Sequence, residues 1–195
     1  GVADGALSVG TLDLGANALS LSVGNAGTGE ARGRFSAAAG DLRVNDALNV
    51  GVAGGGRADG ELQLGNGQLL GDSGRLQAGV GSGTGLVDAR GVVNASGGVS
   101  GFGGYQVGVL SGSAAAGSRA VGSVIGAAAA PASTTGFVNA GVLFGNANSG
   151  ASFVDGLLSV GQSLTIVGGA LQAGQMFLSA AGSSASGTVD IGGDA

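Results

Sequence analysis

The sequence predicts an all-β protein, a parallel β-helix of about six to seven coils with 27–34 residues each and roughly three short strands per coil. Three observations carry that prediction. One phrase returns seven times in phase, apolar and polar residues alternate with period two around it, and Gly-rich turns separate the alternating runs.

The phrase is Ala-x-Gly-x-Φ-x-Φ, with Φ apolar or small, and its copies open near residues 3, 31, 58, 89, 120, 154 and 185 of a single domain, 1–195. It reads Ala3-Asp4-Gly5-Ala6-Leu7-Ser8-Val9, Ala31-Arg32-Gly33-Arg34-Phe35-Ser36-Ala37 and Ala58-Asp59-Gly60-Glu61-Leu62-Gln63-Leu64 in the first three copies. Its third position is Gly in all seven copies, and its fifth is Leu, Phe or Val. Two apolar positions with one polar residue between them describe a strand with one buried face. The fixed Gly points to a backbone corner of positive φ or to a close approach of another segment. A lone strand of this kind cannot bury its face, so the copies stack, about 4.8 Å apart, into a solenoid.

Within the first coil the alternation continues through Thr11-Leu12-Asp13-Leu14 and Ala18-Leu19-Ser20-Leu21-Ser22-Val23, with turns at Gly15-Ala16-Asn17 and Gly24-Asn25-Ala26-Gly27. The second coil repeats the plan at Asp41–Val44 and Ala47–Val52, and the third at Gln68–Leu70 and Arg75–Val80. Gly interrupts the fourth and fifth coils more often. Ala127–Ser133, which holds the only Pro, reads as an inserted turn, because Pro cannot donate to a sheet. Leu164–Val167, Ala170–Ala173 and Met176–Leu178 resume the strands, and no 3.6-residue amphipathic pattern of useful length appears.

Composition narrows the class. Gly is 46 of 195 residues, yet 44% of the chain is hydrophobic, which disordered linkers are not. There is no Cys, so neither a disulfide scaffold nor a thiolate metal site is expected. The net charge of −5 argues against nucleic acid, and no run of 18 apolar residues forms a membrane span. The chain begins Gly1-Val2-Ala3 without a signal peptide, as expected of a mature or excised segment.

The segment Gly169-Ala170-Leu171-Gln172-Ala173-Gly174-Gln175-Met176-Phe177-Leu178 resembles the repeats of filamentous-haemagglutinin-type exoproteins. The Gly-x-Leu-x-Val-Gly unit at Gly5–Gly10 and its counterpart at Gly60–Gly65 are similar to repeats of autotransporter passenger domains. The resemblance implies a parallel β-helix on a bacterial surface, serving as adhesin, matrix fibre or scaffold.

Catalytic chemistry finds little material. With no His and no Cys, the usual nucleophilic triads and zinc sites are closed. The 12 acids include no two at corresponding strand positions in consecutive coils, which paired-carboxylate hydrolysis on this fold would use. The expectation is a non-enzyme without cofactor or metal. Two features speak for interaction instead. The second repeat position runs Asp4, Arg32, Asp59, Arg90, so stacking in register alternates charge up the solenoid and sets its register. From Ala120 to Val154 there is no charged residue, and this stretch is expected to form a subunit contact through Val121, Phe137, Ala140 and Phe144. Neither end carries a polar cap, so the sequence predicts a secreted subunit that polymerises head-to-tail into a surface or matrix fibre. The alternative is an adhesin or glycan-binding passenger domain, with other surface proteins or glycans as partners.

Overall fold

The structure, a computed structural model, describes residues 1–11, 18–126, 132–134, 136–145, 151–177 and 181–192. The expected turn at Gly15-Ala16-Asn17, with Asp13, lies outside the described residues, as do residues 127–131 of the turn expected at Ala127–Ser133, whose last two residues open the strand Ala132–Thr134 instead. Among the described residues every regular element is a strand, and all the pairings are parallel. The chain is a parallel β-solenoid.

Its first wall is a seven-stranded sheet of the repeat phrase, in chain order: Val2–Thr11, Glu30–Ala39, Gly56–Leu64, Val87–Ala95, Arg119–Gly126, Phe153–Val160 and Ser184–Ile191. The register follows the phrase residue for residue. Gly5, Gly33, Gly60, Gly91, Gly122, Gly156 and Gly187 form one column, and Leu7, Phe35, Leu62, Val93, Val124, Leu158 and Val189 form another. The apolar column faces inward, with Leu62, Val93, Val124 and Leu158 fully buried. The polar position after it faces out, where Ser8 and Gln63 are exposed.

The return path has two parts. The short strand Leu69–Gly71 pairs with the first half of Leu42–Val50, Val99–Ser100 pairs in turn with Leu69–Gly71, and Ala132–Thr134 pairs with Leu164–Ile166. A third wall stacks Ala18–Val23, the second half of Leu42–Val50, Arg75–Ser82, Gly104–Gly112, Val138–Ala140 and Leu171–Ala173. Three strand columns per coil is thus the observed plan. The opening turn and the closing strand are incomplete within the described residues, so closed turns number slightly fewer than the six to seven expected. Turn side chains extend the ladder between coils: the Val52 N–H donates to Asn25 Oδ1 at 3.0 Å, and the Gln68 N–H donates to Asp41 Oδ1 at 2.8 Å.

The glycine column explains the cross-section. The repeat glycines lie mid-strand and lack positive φ, so the corner reading gives way to the close approach. What approaches is a second glycine column on the third wall: Gly24, Gly51, Gly79, Gly108, Gly141 and Gly174, all with φ between 60° and 64°. A Cβ added to Gly91 would stand 2.1 Å from the Val50 carbonyl oxygen and 2.2 Å from the Gly79 nitrogen. Backbone therefore rests on backbone along a seam, which no side chain leaves room for.

That seam divides the interior into two compartments. The larger gathers Leu62, Leu64, Leu69, Leu76, Phe102 and Tyr105 with their column neighbours. The smaller holds Ala58, Val87, Ala89, Leu110, Ala120, Leu143 and Val154. Small residues at the first repeat position suit the narrower space. Buried Ser118 closes a turn there: its hydroxyl accepts from the Val87 N–H at 3.0 Å and donates to the Ala115 carbonyl at 2.7 Å.

Candidate functional site

The outer face of the repeat wall carries most of the arginines. Strand alternation turns the second repeat position outward, and the pairing stacks Asp4, Arg32, Asp59, Arg90 and Val121 in one column. Beside it runs a column that the repeat phrase did not include: Glu30, Arg57, Asp88, Arg119 and Phe153. On the other flank stand Arg34 and Glu61. Over the first five rungs five acids and five arginines therefore share one face and balance in charge, while Asp155 and Asp190 on the last two rungs leave the whole wall with an excess of acid. Signs alternate up each column and across the first two.

Ion pairs form in the flanking columns. Arg34 Nε lies 3.2 Å from Glu61 Oε2, and Arg57 Nε lies 3.8 Å from Asp88 Oδ2. Asp4, Arg32, Asp59 and Arg90 stack as the sequence proposed, but none of them makes an ion pair within 4.0 Å among the described residues. The column lies in the middle of a face, with charge on either side, and not along a free corner. Between the charged columns the backbone is drawn in toward the seam, which leaves two shallow depressions. One, of about 260 Å³, is lined by Arg57, Asp59, Asp88, Arg90, Arg119 and Val121. The other, of about 300 Å³, is lined by Asp4, Gly5, Arg32, Gly33, Arg34, Asp59 and Glu61. Both offer donors and acceptors in alternation. Among the described residues no group of three or more acids is placed to hold a metal ion.

The four residues expected at a subunit contact do not form one surface. Val121 interrupts the charge column on the repeat wall between Arg90 and Asp155 and lines the first depression. Phe137 is half-buried on the opposite wall, with the Arg75 guanidinium 5.5 Å above its ring. Phe144 stacks on Phe177 at 5.2 Å with the rings 7° apart. Ala140 corrects the expectation: it is fully buried, because it falls on the inward column with Val107 and Ala173. An uncharged stretch does not by itself distinguish inward from outward positions.

A second repeat went unread in the sequence. Leu48-Asn49-Val50-Gly51, Leu76-Gln77-Ala78-Gly79, Tyr105-Gln106-Val107-Gly108, Val138-Asn139-Ala140-Gly141 and Leu171-Gln172-Ala173-Gly174 share one pattern, and the pairing stacks them in register. It builds a column of amides, half-buried at Asn49, Gln77 and Gln106 and buried at Asn139, in which Gln77 Nε2 donates to Gln106 Oε1. The signal was present as an Asn or Gln two residues ahead of a Gly, and the segment at Leu171 was one copy of it.

The two end rungs expose what the middle rungs bury. Leu7 is 56% exposed, whereas Leu62 in the same column is 0% exposed. At the other end Leu171, Met176, Phe177 and Ile191 are 51, 49, 40 and 45% exposed.

Fold and surfaces together define a parallel β-solenoid with a charge-alternating face and with apolar residues exposed on its first and last described rungs. Compared with known proteins, the chain matches no family model, no curated protein and no solved structure. No helix among the described residues is long and apolar enough to cross a membrane.

Proposed function

We propose that this chain is an extracellular structural protein, a β-solenoid subunit that assembles head-to-tail into a surface or matrix fibre. The observation that carries the reading is the exposure of interior columns at both ends, with Leu7 at one and Leu171 and Ile191 at the other. Each end strand also presents an unpaired edge, a template for a further strand. A rung of the same geometry covers both, and in this reading a second copy supplies it. The contact is heterologous and does not close on itself, so it produces a fibre and not a dimer. The extracellular setting draws on the resemblance of its repeats to those of secreted exoproteins.

Electron microscopy of purified residues 1–195 tests the proposal. Filaments are expected, and Leu7→Asp, which places a charge on the open column, abolishes them while the β-rich circular dichroism stays. A wild-type preparation that remains a monodisperse monomer at high concentration overturns it. The second reading is an adhesin or glycan-binding passenger. It draws on the two depressions, whose alternating Arg and Asp side chains suit sugar hydroxyls; a non-assembling chain retained on immobilised polysaccharide favours it.

A further inference from the structure

The charge-alternating face is complementary to itself. Let two copies meet face to face about a two-fold axis that runs parallel to the strands, midway between the second and third rungs of the repeat wall. The axis carries the first rung onto the partner's fourth, and the second onto its third. Asp4 then faces Arg90 of the other copy, and Arg32 faces its Asp59. In the flanking columns Glu30 faces Arg57, and Arg34 faces Glu61. Every one of these oppositions joins unlike charges, and the symmetry makes each of them twice. A slip of one rung along the solenoid opposes Arg32 to Arg90 and Asp59 to itself, so the alternation admits this register and rejects its neighbours.

We infer that this face pairs two solenoids side by side and antiparallel, with a second copy of the chain as the occupant. The argument rests on charge complementarity and on the four column residues Asp4, Arg32, Asp59 and Arg90, which make no ion pair among the described residues of their own chain. Sheets packed face to face stand about 10 Å apart, a gap that an Arg and a carboxylate span together. The face is small: four rungs by about six residues cover roughly 400 Å², half of the ~800 Å² per partner of a standard interface. Pairing between single chains is therefore weak and salt-sensitive, and it strengthens when copies are arrayed along a fibre. The inference does not depend on the head-to-tail contact, which involves the ends and not the face.

The test is sedimentation equilibrium in a Leu7→Asp background, where the end contact cannot contribute, at about 20 mM and about 500 mM salt, Debye lengths of about 20 and 4 Å. Dimers at low salt that dissociate at high salt are expected. Asp59→Arg opposes like charges at two symmetric places and weakens dimerisation about tenfold or more. The swap R32D/D59R restores unlike opposition across the axis, yet it leaves like charges adjacent within the column. Recovered dimerisation in the swap supports the pairing. Monomers at low salt, an unaffected Asp59→Arg, or a swap as weak as Asp59→Arg overturns it, because the alternation then serves register within one chain alone.

Discussion

Tyr105 shows how the interior handles a polar group. It is fully buried, its ring edge-on to Phe102 with centroids 5.8 Å apart, and a Cβ on Gly71 would come within 2.7 Å of the Phe102 ring. The Tyr105 hydroxyl has no hydrogen-bond partner among the described residues. Burial pushes its pKa well above the ordinary tyrosine range, and the nearby Phe102 backbone offsets only part of that. A buried unsatisfied hydroxyl costs about 1–3 kcal/mol, so Tyr105→Phe is expected to leave stability unchanged or to raise it by about 1 kcal/mol, read as a shift in urea midpoint at constant slope. Because the raised value belongs to the folded state, the stability it contributes is complete below about pH 10, where the unfolded tyrosine is neutral too, and is lost as pH rises above that. With one Tyr and no Trp in the chain, phenolate absorbance reports this residue alone. A phenolate appearing near its ordinary value in the folded chain contradicts the burial.

At the scale of elements the seam between the repeat wall and the third wall decides the packing. Opposed glycines let two backbones touch, and the apolar columns on either side fill what remains. Gly91→Ala drives a Cβ against two backbone atoms that cannot swing away as a side chain would. We expect a loss of about 3 kcal/mol or more by denaturant unfolding, at the upper end of overpacking effects. Gly85→Ala is the matched control. Nothing lies within 4 Å of its added Cβ, and stability is expected to change by no more than about 0.5 kcal/mol. Equal effects at the two positions would mean that the walls do not meet at the seam.

Across the whole molecule stability is a sum over rungs and their interfaces, and it falls toward the open ends. Leu62 and Leu7 occupy the same column, one fully buried and one more than half exposed. Leu62→Ala should cost about 2–5 kcal/mol and Leu7→Ala under about 1 kcal/mol in dilute solution. The proposed assembly would reverse that contrast, because a second copy on the first rung would bury Leu7 as Leu62 is buried. A cost of Leu7→Ala that grows with protein concentration, followed by thermal unfolding, is therefore the expected mark of end-to-end association.

The repeat phrase alone determined the stacking of the first wall: parallel strands, one rung per copy, with Leu62 inward, Gln63 outward and Asp59 above Arg32. These relations were legible because neighbours along a solenoid are separated by one period, and a period is a property of sequence. Relations between walls have no such signature. That Gly91 meets Gly79 and that Ala140 points inward depended on where each coil bends, whereas Glu30, Arg57, Asp88 and Arg119, two residues ahead of the second repeat position on the same strands, were legible but lay outside the phrase. The bends are set by the positive φ of glycines such as Gly79 and by turn lengths that vary from coil to coil. The two charged columns lie two residues apart on the same strands, so their neighbourhood is in the sequence, and the tertiary structure decides that this face points outward and stays uncovered.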